Sequence, residues 1–379
     1  MHWNSIAASK VNPLSTLTNL DPRYYVDAGV FEAERQRIFR RHWQMLGPVS
    51  QVKEPGDYLA VDVAGWKLFA LLGRDGVLRG FHNVCRHRGA RLLADGTGRC
   101  ERLRCPYHQW IYDHDGALRQ APWFGEDPQF NAQDWPLHSA AIAQWRGLLF
   151  ICIDPDLSLL DQLGDLPEEV AHAPIESYSS VEEHRFTMHS NWKTYTDNFV
   201  EGYHIPGIHP GFMKVIEFAQ FETVARKGMV RMTAPQRSGS IYSGKWLWMW
   251  PNWTLSVFPG GMNISRINPL SVDTTELIYN FCFADTSAES ASSRRGTIDT
   301  NCGIVREDFG ICEHTQKNYA SGGYTPGPLS PRHEQSVAYF QGMVRAVLDS
   351  RSADGNRAEC SHAGRADSGG FALAPAEKP

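Results

Sequence analysis

The sequence has no apolar run long enough to cross a membrane. Its longest strongly apolar stretch covers residues 148–153, whereas a bilayer-spanning helix needs ~20 residues. Residues 1–5 also have neither the basic region nor the apolar region with which a secretory signal begins. We therefore expect a cytoplasmic protein that contains no membrane-spanning segment.

Basic clusters are also missing. The 37 Lys and Arg residues are outnumbered by 42 Asp and Glu residues, giving a formal charge of −5. This balance offers no electrostatic footprint for nucleic acid or for an anionic membrane surface. No G-x-G-x-x-G follows a predicted strand, and a second cysteine cluster of ferredoxin type is absent. The chain therefore carries no recognisable reductase module.

The composition is that of a folded protein. Apolar residues make up 42% and charged residues 21% of the 379 positions, which excludes disorder as the dominant state. Helical spacing near 31–39 predicts an N-terminal helical segment, and short apolar runs broken by glycines predict an all-β module. We predict a helical segment over 1–45, the β module over 46–155, a larger mixed domain over 156–350 and a disordered tail over 351–379.

Elements of the mixed domain follow from its patterning. We predict helices over 191–203, 300–319 and 331–350, and strands near 229–234, 241–250 and 275–284. The fold class is therefore α+β, with an antiparallel sheet flanked by helices in the larger domain.

Two cysteines and two histidines lie in the β module with a regular spacing. Cys85 and His87 are followed by 17 residues and then by Cys105 and His108. Two such arms are able to hold one zinc ion or a two-iron cluster. Structural zinc sites usually group like ligands, whereas each arm here is mixed. The pattern favours a [2Fe–2S] cluster in which one iron takes both cysteines and the other takes both histidines.

A second group of ligand residues lies in the mixed domain. His204 and His209 would lie on different faces of a continuous helix, but the intervening Pro-Gly pair allows a turn that brings them together. About a hundred residues later, Asp308 offers a carboxylate. Glu307 and Glu313 are nearby alternatives. Two histidines and one carboxylate form the facial triad of non-haem ferrous sites.

These motifs together carry a family resemblance. The C-x-H and C-x-x-H arms resemble the Rieske iron–sulfur proteins. The order of Rieske arms, then D-N-F and Y-H-x4-H at 197–209, then E-D-x3-C-E-x2-Q at 307–316, resembles the oxygenase (alpha) subunit of the Rieske non-haem iron oxygenases, the ring-hydroxylating oxygenase family. The resemblance runs from about residue 22 to 350.

The resemblance implies cofactors, ligands and partners. Each subunit would hold one Rieske [2Fe–2S] cluster on Cys85, His87, Cys105 and His108, and one mononuclear Fe(II) on His204, His209 and Asp308. A separate reductase of the flavin or ferredoxin type would supply electrons from NAD(P)H. The other partners would be O2 and a small-molecule substrate, in a homotrimer.

Glu201 occupies the place of the bridging carboxylate in that family. There, a carboxylate just before the first iron-ligating histidine hydrogen-bonds a Rieske histidine of the neighbouring subunit. By resemblance, that partner is His108. A glutamate at this spacing looks more like the carnitine monooxygenases and their relatives than like the dioxygenases, which commonly have Asp.

By the same resemblance, Tyr107 would direct its hydroxyl at the cluster sulfurs.

An unusual run of tryptophans suggests the substrate. Trp246, Trp248 and Trp250 alternate and would share one face of a strand. Such rings form a cage for a quaternary ammonium group or a wall for a flat aromatic ring, although core filling explains them equally well. We expect a terminal oxygenase that hydroxylates or demethylates an N-methyl quaternary amine. The alternatives are an aromatic ring-hydroxylating dioxygenase, a non-catalytic Rieske electron carrier and a zinc-binding structural protein.

Overall fold

The computed structural model describes residues 17–235, 237 and 244–349. The predicted tail, 351–379, lies outside these residues. The described part consists of antiparallel sheets and packed helices, so the predicted α+β class is confirmed. Within this part, none of the helices combines the length and the hydropathy that a membrane span requires.

The chain begins with two short helices. Helix α1 covers Arg23–Val26 and α2 covers Ala28–Glu34, which continues into a π-helical turn at Arg35–Phe39. Asp27 caps α2, because its side chain accepts a hydrogen bond from Val30 N at 2.9 Å.

The first half of the chain forms the β module. Its strands are β1 (Gln44–Pro48), β2 (Asp57–Val63), β3 (Trp66–Leu72), β4 (Leu78–His82), β5 (Gly96–Arg99), β6 (Leu103–Arg104), β7 (Ile111–Tyr112), β8 (Leu118–Gln120), β9 (Ser139–Trp145) and β10 (Leu148–Cys152). Seven of them form a sheet in the order β1-β10-β9-β4-β3-β2-β5, and β6-β7-β8 form a small second sheet. The loops that follow β4 and β6 carry the cysteine and histidine arms.

The second half is built around one antiparallel sheet. Its strands are β11 (Ser179–Met188), β12 (Glu222–Arg226), β13 (Met229–Thr233), β14 (Lys245–Met249), β15 (Trp253–Phe258), β16 (Gly261–Ser271) and β17 (Thr274–Phe283), in the order β11-β17-β16-β15-β14-β13-β12. The helices are α3 (Leu159–Leu163), α4 (Leu166–Glu169), α5 (Trp192–Phe199), α6 (Ile205–Ile208), α7 (Ala291–Ser321) and α8 (Gln335–Asp349). Helix α5 packs against α7, α8 and strand β16. These contacts position the second group of candidate ligand residues, which lies in and after α5 and on α7.

All three predicted helices of the mixed domain have different bounds in the structure, and the last of them, α8, begins at Gln335 rather than at 331. Helix α5 ends at Phe199 rather than at 203, and Gly202 lies so close to the Phe221 ring that a Cβ atom there would come within 2.3 Å of it. Helix α7 begins at Ala291 rather than at 300. Its first turns are polar and mostly exposed, so hydrophobic periodicity does not mark them.

A buried ion pair joins the N-terminal helices to α5. Lys193 Nζ lies 2.5 Å from Glu34 Oε1, and both side chains are fully buried. Trp192 Nε1 donates to the other carboxylate oxygen at 2.8 Å, and Lys193 also donates to Asn191 Oδ1. Burial raises the pKa of Glu34 and lowers that of Lys193, while their mutual attraction opposes both shifts.

We expect the Glu34→Gln variant to lower the free energy of unfolding by about 3–5 kcal/mol, because it leaves the Lys193 charge buried without its counter-ion. Denaturant unfolding followed by circular dichroism measures this loss. The double variant Glu34→Gln/Lys193→Met should recover most of it. A single variant as stable as the parent would show that the pair is unimportant for stability.

Candidate active site

Two similar loops present the cysteine and histidine arms. Gly89 N donates to Cys85 O at 3.0 Å, and Gln109 N donates to Cys105 O at 3.1 Å. Each loop turns through a left-handed residue, Gly89 at φ 75° and Gln109 at φ 60°. A left-handed non-glycine residue is uncommon and marks a loop that its surroundings hold in place. The loops thus place two buried thiols and two partly exposed imidazoles at one end of the β module.

The two imidazoles face each other at this end. His87 Nδ1 lies 3.1 Å from His108 Nδ1, and the rings are steeply inclined at 72°. Trp110 stacks on the His87 ring, with centroids 4.9 Å apart, and Tyr107 lies against the His108 ring at 3.7 Å. Burial lowers the pKa of His87, and the neighbouring His108 ring and Arg88 lower it further. The neutral imidazole that results is the form that binds a metal.

The tyrosine beside the sulfurs is Tyr112, which sequence reasoning missed. Its hydroxyl lies 3.3 Å from Cys85 Sγ and accepts a hydrogen bond from Arg86 N at 3.1 Å. A hydroxyl that accepts from Arg86 N retains its own hydrogen for donation to a deprotonated Cys85 sulfur. The predicted residue, Tyr107, is 54% exposed and covers a histidine ring instead. No sequence signal distinguishes Tyr112 from an ordinary core aromatic residue on β7.

The second group of ligands converges between α6 and α7. One ligand atom each of His204, His209 and Asp308 lies within 4.8 Å of the others. Asp308 Oδ1 is 2.9 Å from His209 Nε2 and 3.8 Å from His204 Nε2. Helix α6 occupies the turn between the two histidines, as the Pro-Gly pair suggested.

Two further carboxylates orient the histidines. Glu201 Oε1 lies 2.5 Å from His204 Nδ1, and Glu307 Oε2 lies 2.7 Å from His209 Nδ1. Each Nε2 is thereby left to face Asp308. The Oδ1 atom of Asp308 is buried, and although it lies 2.9 Å from His209 Nε2, it makes no well-oriented hydrogen bond with the described residues. Two imidazoles that are held by carboxylates and whose Nε2 atoms both face one buried carboxylate oxygen fit a divalent iron ion.

The face of α7 decides among the acidic residues. Asp308, Cys312 and Gln316 are all buried on one side of the helix. The Glu307 side chain is 44% exposed and supports His209 from outside. Glu313 accepts a hydrogen bond from His189 N at 3.0 Å. Asp308 is thus the acidic residue of this segment that faces both histidine Nε2 atoms.

Glu201 lies outside α5 and folds back on the loop that follows. Its second oxygen accepts hydrogen bonds from Tyr203 N and His204 N. The residue is 8% exposed and lies beside the exposed ring of Tyr203. Glu201 therefore hydrogen-bonds both the ring and the backbone of His204.

A cavity adjoins the three ligand residues. Its aromatic side is formed by Phe212, Phe221 and Trp246, with the Phe212 and Trp246 centroids 5.3 Å apart. Of the three tryptophans predicted to form a wall of the pocket, Trp246 lines the cavity. Trp248 and Trp250 are buried in the hydrophobic core and do not line the cavity. The reason is packing against neighbours, since Trp248 contacts Phe340 of α8 at 5.3 Å.

Hydroxyl groups form another side of the cavity. The hydroxyl oxygens of Tyr195 and Tyr279 are hydrogen-bonded at 3.0 Å. The hydroxyl oxygens of Thr254 and Ser265 are hydrogen-bonded at 2.5 Å. Burial raises the pKa of Tyr279 to about 12 and raises the pKa of Tyr195 well above its usual value. These groups are therefore neutral at physiological pH.

Comparison with known proteins assigns both halves of the chain. The family model "Rieske [2Fe-2S] domain" matches residues 42–133. The model "Ring hydroxylating alpha subunit (catalytic domain)" matches residues 175–246 and 222–350. The first match favours the iron–sulfur cluster over the zinc ion, and the second argues against a simple electron carrier.

Individual relatives match nearly the whole chain. The carnitine monooxygenase oxygenase subunit of Escherichia coli (strain K12) is 29% identical over 358 residues, which cover 89% of this chain and 95% of the relative. The chloroplastic choline monooxygenase of Spinacia oleracea is 26% identical over 342 residues, covering 86% of this chain and 77% of the relative.

Solved structures share the same fold. The quaternary ammonium Rieske monooxygenase CntA in complex with L-carnitine superposes with a TM-score of 0.80 at 26% identity, covering 92% of this chain and 99% of that one. Naphthalene 1,2-dioxygenase gives a TM-score of 0.75 at 19% identity, covering 88% and 93% respectively, which shows the fold alone.

The family assignment fixes the class of chemistry. Members are oxidoreductases that incorporate O2, contain a Rieske [2Fe–2S] cluster and a mononuclear iron, and receive electrons from NAD(P)H through a separate reductase. With its cluster-binding domain, its catalytic domain and its homology to the carnitine and choline monooxygenases, this chain belongs to the Rieske non-haem iron oxygenases as an oxygenase (alpha) subunit.

Proposed function

We propose that this protein hydroxylates an N-methyl group of a quaternary amine. The observation that carries the proposal is the cavity, in which Trp246, Phe212 and Phe221 stand beside His204 and Asp308. Aromatic faces attract a quaternary ammonium group by about 2 kcal/mol or more when the site is desolvated. A methyl group of the bound cation would then lie close to the iron ligands.

The balanced reaction explains the expected product. One oxygen atom of O2 enters a C–H bond of the N-methyl group, and the other leaves as water with two electrons and two protons. The resulting hydroxymethyl ammonium group then loses its hydroxyl proton and breaks its C–N bond, with the bonding electrons going to nitrogen, to give formaldehyde, a tertiary amine and a proton. The named activities of the carnitine and choline monooxygenases agree with a quaternary amine as substrate. The aromatic wall would also hold a flat ring, so an aromatic substrate is the second candidate.

We assign the metal ligands as follows. Cys85, His87, Cys105 and His108 would hold the [2Fe–2S] cluster, and the triad would hold the mononuclear iron. When bound, the cluster supplies single electrons and the iron supplies the activation of dioxygen. Glu201 and Glu307 fix the tautomer and the orientation of the two triad histidines.

We further propose that electrons cross between subunits of a homotrimer. The Rieske histidines lie at an end of the β module where Tyr107 is exposed and Trp123 is fully exposed. Glu201 and the exposed Tyr203 lie beside the iron site. Docking of one copy's Rieske end onto this region of the next copy would let Glu201 bridge His204 and the partner's histidine. A separate reductase is the electron source, and the cytoplasmic location stays a prediction.

Product analysis tests the proposed substrate class. The holoenzyme, reduced by an NAD(P)H-dependent ferredoxin reductase system, is supplied with O2 and a panel of N-methyl quaternary amines and aromatic acids. We expect formaldehyde from at least one quaternary amine and no hydroxylated arene. Hydroxylated arenes without formaldehyde would reject the proposal in favour of the second candidate.

Tyr112→Phe tests the assignment of the cluster. Removing a hydrogen bond that favours the reduced cluster by about 1 kcal/mol lowers the reduction potential by about 40 mV. Redox titration of the purified protein measures the shift. Tyr107→Phe is the matched control, because its hydroxyl is not directed at a sulfur, and should leave the potential unchanged. The opposite ranking would contradict the placement of the cluster.

A further inference from the structure

The described lining of the substrate cavity contains carboxylates but no Lys or Arg side chain. The carboxylates are those of Glu201 and Asp308. Positions 236 and 238–243, which precede β14 in the sequence, contain no Lys or Arg either. A ligand that enters this cavity therefore finds no cationic side chain in the described wall.

Three basic residues on or near the surrounding strands form ion pairs outside the cavity. Lys245 precedes Trp246 on β14, so its side chain points to the other face of the sheet and pairs with Glu169 at 2.7 Å. Arg231 on β13 also contacts Glu169, at 3.4 Å. Arg237 pairs with Glu217 at 2.8 Å. Each of these cations is committed to a carboxylate outside the cavity.

Instead of a cation, the polar side of the cavity presents neutral groups. Asn263 Nδ2 donates to Asn301 Oδ1 at 3.0 Å, which links β16 to α7 across the cavity wall. Thr254 and Ser256 of β15 lie next to them in the lining, and Tyr279 completes this side. Amides and hydroxyls are good partners for a hydroxyl, ether or carbonyl group. They do not neutralise a carboxylate, whose burial without a counter-ion is strongly unfavourable.

We infer that the cavity selects quaternary amines whose other end is neutral and hydrogen-bonding, and that it excludes amines bearing a carboxylate. The inference rests on the proposed function and narrows its substrate class. The ammonium group binds against the rings of Trp246, Phe212 and Phe221. The neutral end of the ligand hydrogen-bonds to Asn263 and Asn301.

Equilibrium binding to the anaerobic holoenzyme tests the inference with matched ligands. Choline and glycine betaine share the trimethylammonium group and differ in a hydroxyl against a carboxylate, and betaine methyl ester removes the charge while keeping the carbonyl. We expect choline and the ester to bind at least about 100-fold more tightly than betaine, because the carboxylate of betaine would be buried without a counter-ion. Isothermal titration calorimetry measures the three affinities without turnover.

A charge introduced at the polar side provides a second measurement. In the Asn301→Lys variant we expect betaine to gain about 10-fold in affinity relative to choline, because a cation now faces its carboxylate. Asn301→Met is the control, because the Met side chain is similar in length to Lys and carries no charge. This variant should not increase the affinity for betaine relative to choline.

The outcomes separate the inference from the proposed function. Betaine or carnitine binding as tightly as choline to the parent protein would overturn the inference and leave the proposed function intact. Failure of all N-methyl amines, including tetramethylammonium, to bind would overturn the proposed function and the inference with it.

Discussion

Replacing Glu201 by Gln should reduce product formation by about 100-fold while both metal centres are retained. The carboxylate lies 2.5 Å from His204 Nδ1, and the neighbouring Tyr203 side chain is exposed. Loss of its charge weakens both the orientation of the histidine and the proposed bridge to the partner subunit's cluster. Steady-state formaldehyde or amine formation, measured beside the iron and sulfide content, gives the result.

Glu307→Gln is the matched control for this prediction. Glu307 also accepts a hydrogen bond from a triad histidine, at 2.7 Å, but the bridge does not involve it. We expect at most about a 10-fold loss of activity from it. Stopped-flow reoxidation of the reduced Rieske cluster should be slowed in Glu201→Gln alone. Undiminished turnover of Glu201→Gln, or equal reoxidation rates in both variants, would remove the bridging role.

The Asp308→Ala variant should lose the mononuclear iron and all oxygenase activity. The parent protein is expected to contain about three irons for every two acid-labile sulfides, and the variant about two, since the cluster is unaffected. The reason is that Asp308 Oδ1 faces both histidine Nε2 atoms, and two imidazoles alone hold ferrous iron poorly. Metal analysis and the visible spectrum of the cluster measure the change.

Glu313→Ala is the control for the assignment of the carboxylate. Glu313 lies on the same helix, but it accepts a hydrogen bond from His189 N. The variant should keep the full iron content. If it lost one iron per chain while Asp308→Ala kept all three, the third ligand would be misassigned.

The convergence of the candidate ligand residues was predictable because chemistry restricts their type and spacing. Mixed Cys and His arms separated by 17 residues suit few cofactors, and a Pro-Gly pair between two histidines implies a turn. The interior face of α7 also singled out Asp308, because Cys312 and Gln316 follow at helical spacing. In each case, a local pattern carries the three-dimensional consequence.

Other features depend on contacts between distant segments. Tyr112 was missed because the approach of its hydroxyl to Cys85 is set by packing in the β module. Glu307 was considered only as a rival ligand, since its position outside His209 depends on how α7 meets α6. Trp248 has the same strand face as Trp246, yet contact with α8 places it in the core. The alternation of side chains along a strand predicts which face of the sheet a residue occupies. It does not predict whether a helix or a cavity lies over that part of the face.

Single turnover of the reduced protein tests the central claim most directly. The protein is loaded with iron, fully reduced, freed of reductant and exposed to O2 with tetramethylammonium, a substrate that has no second end. One electron from the cluster and one from the iron site suffice for about one molecule of formaldehyde per chain, with both centres oxidised afterwards. Oxidation of both centres without formaldehyde from this or any other N-methyl amine would contradict the account.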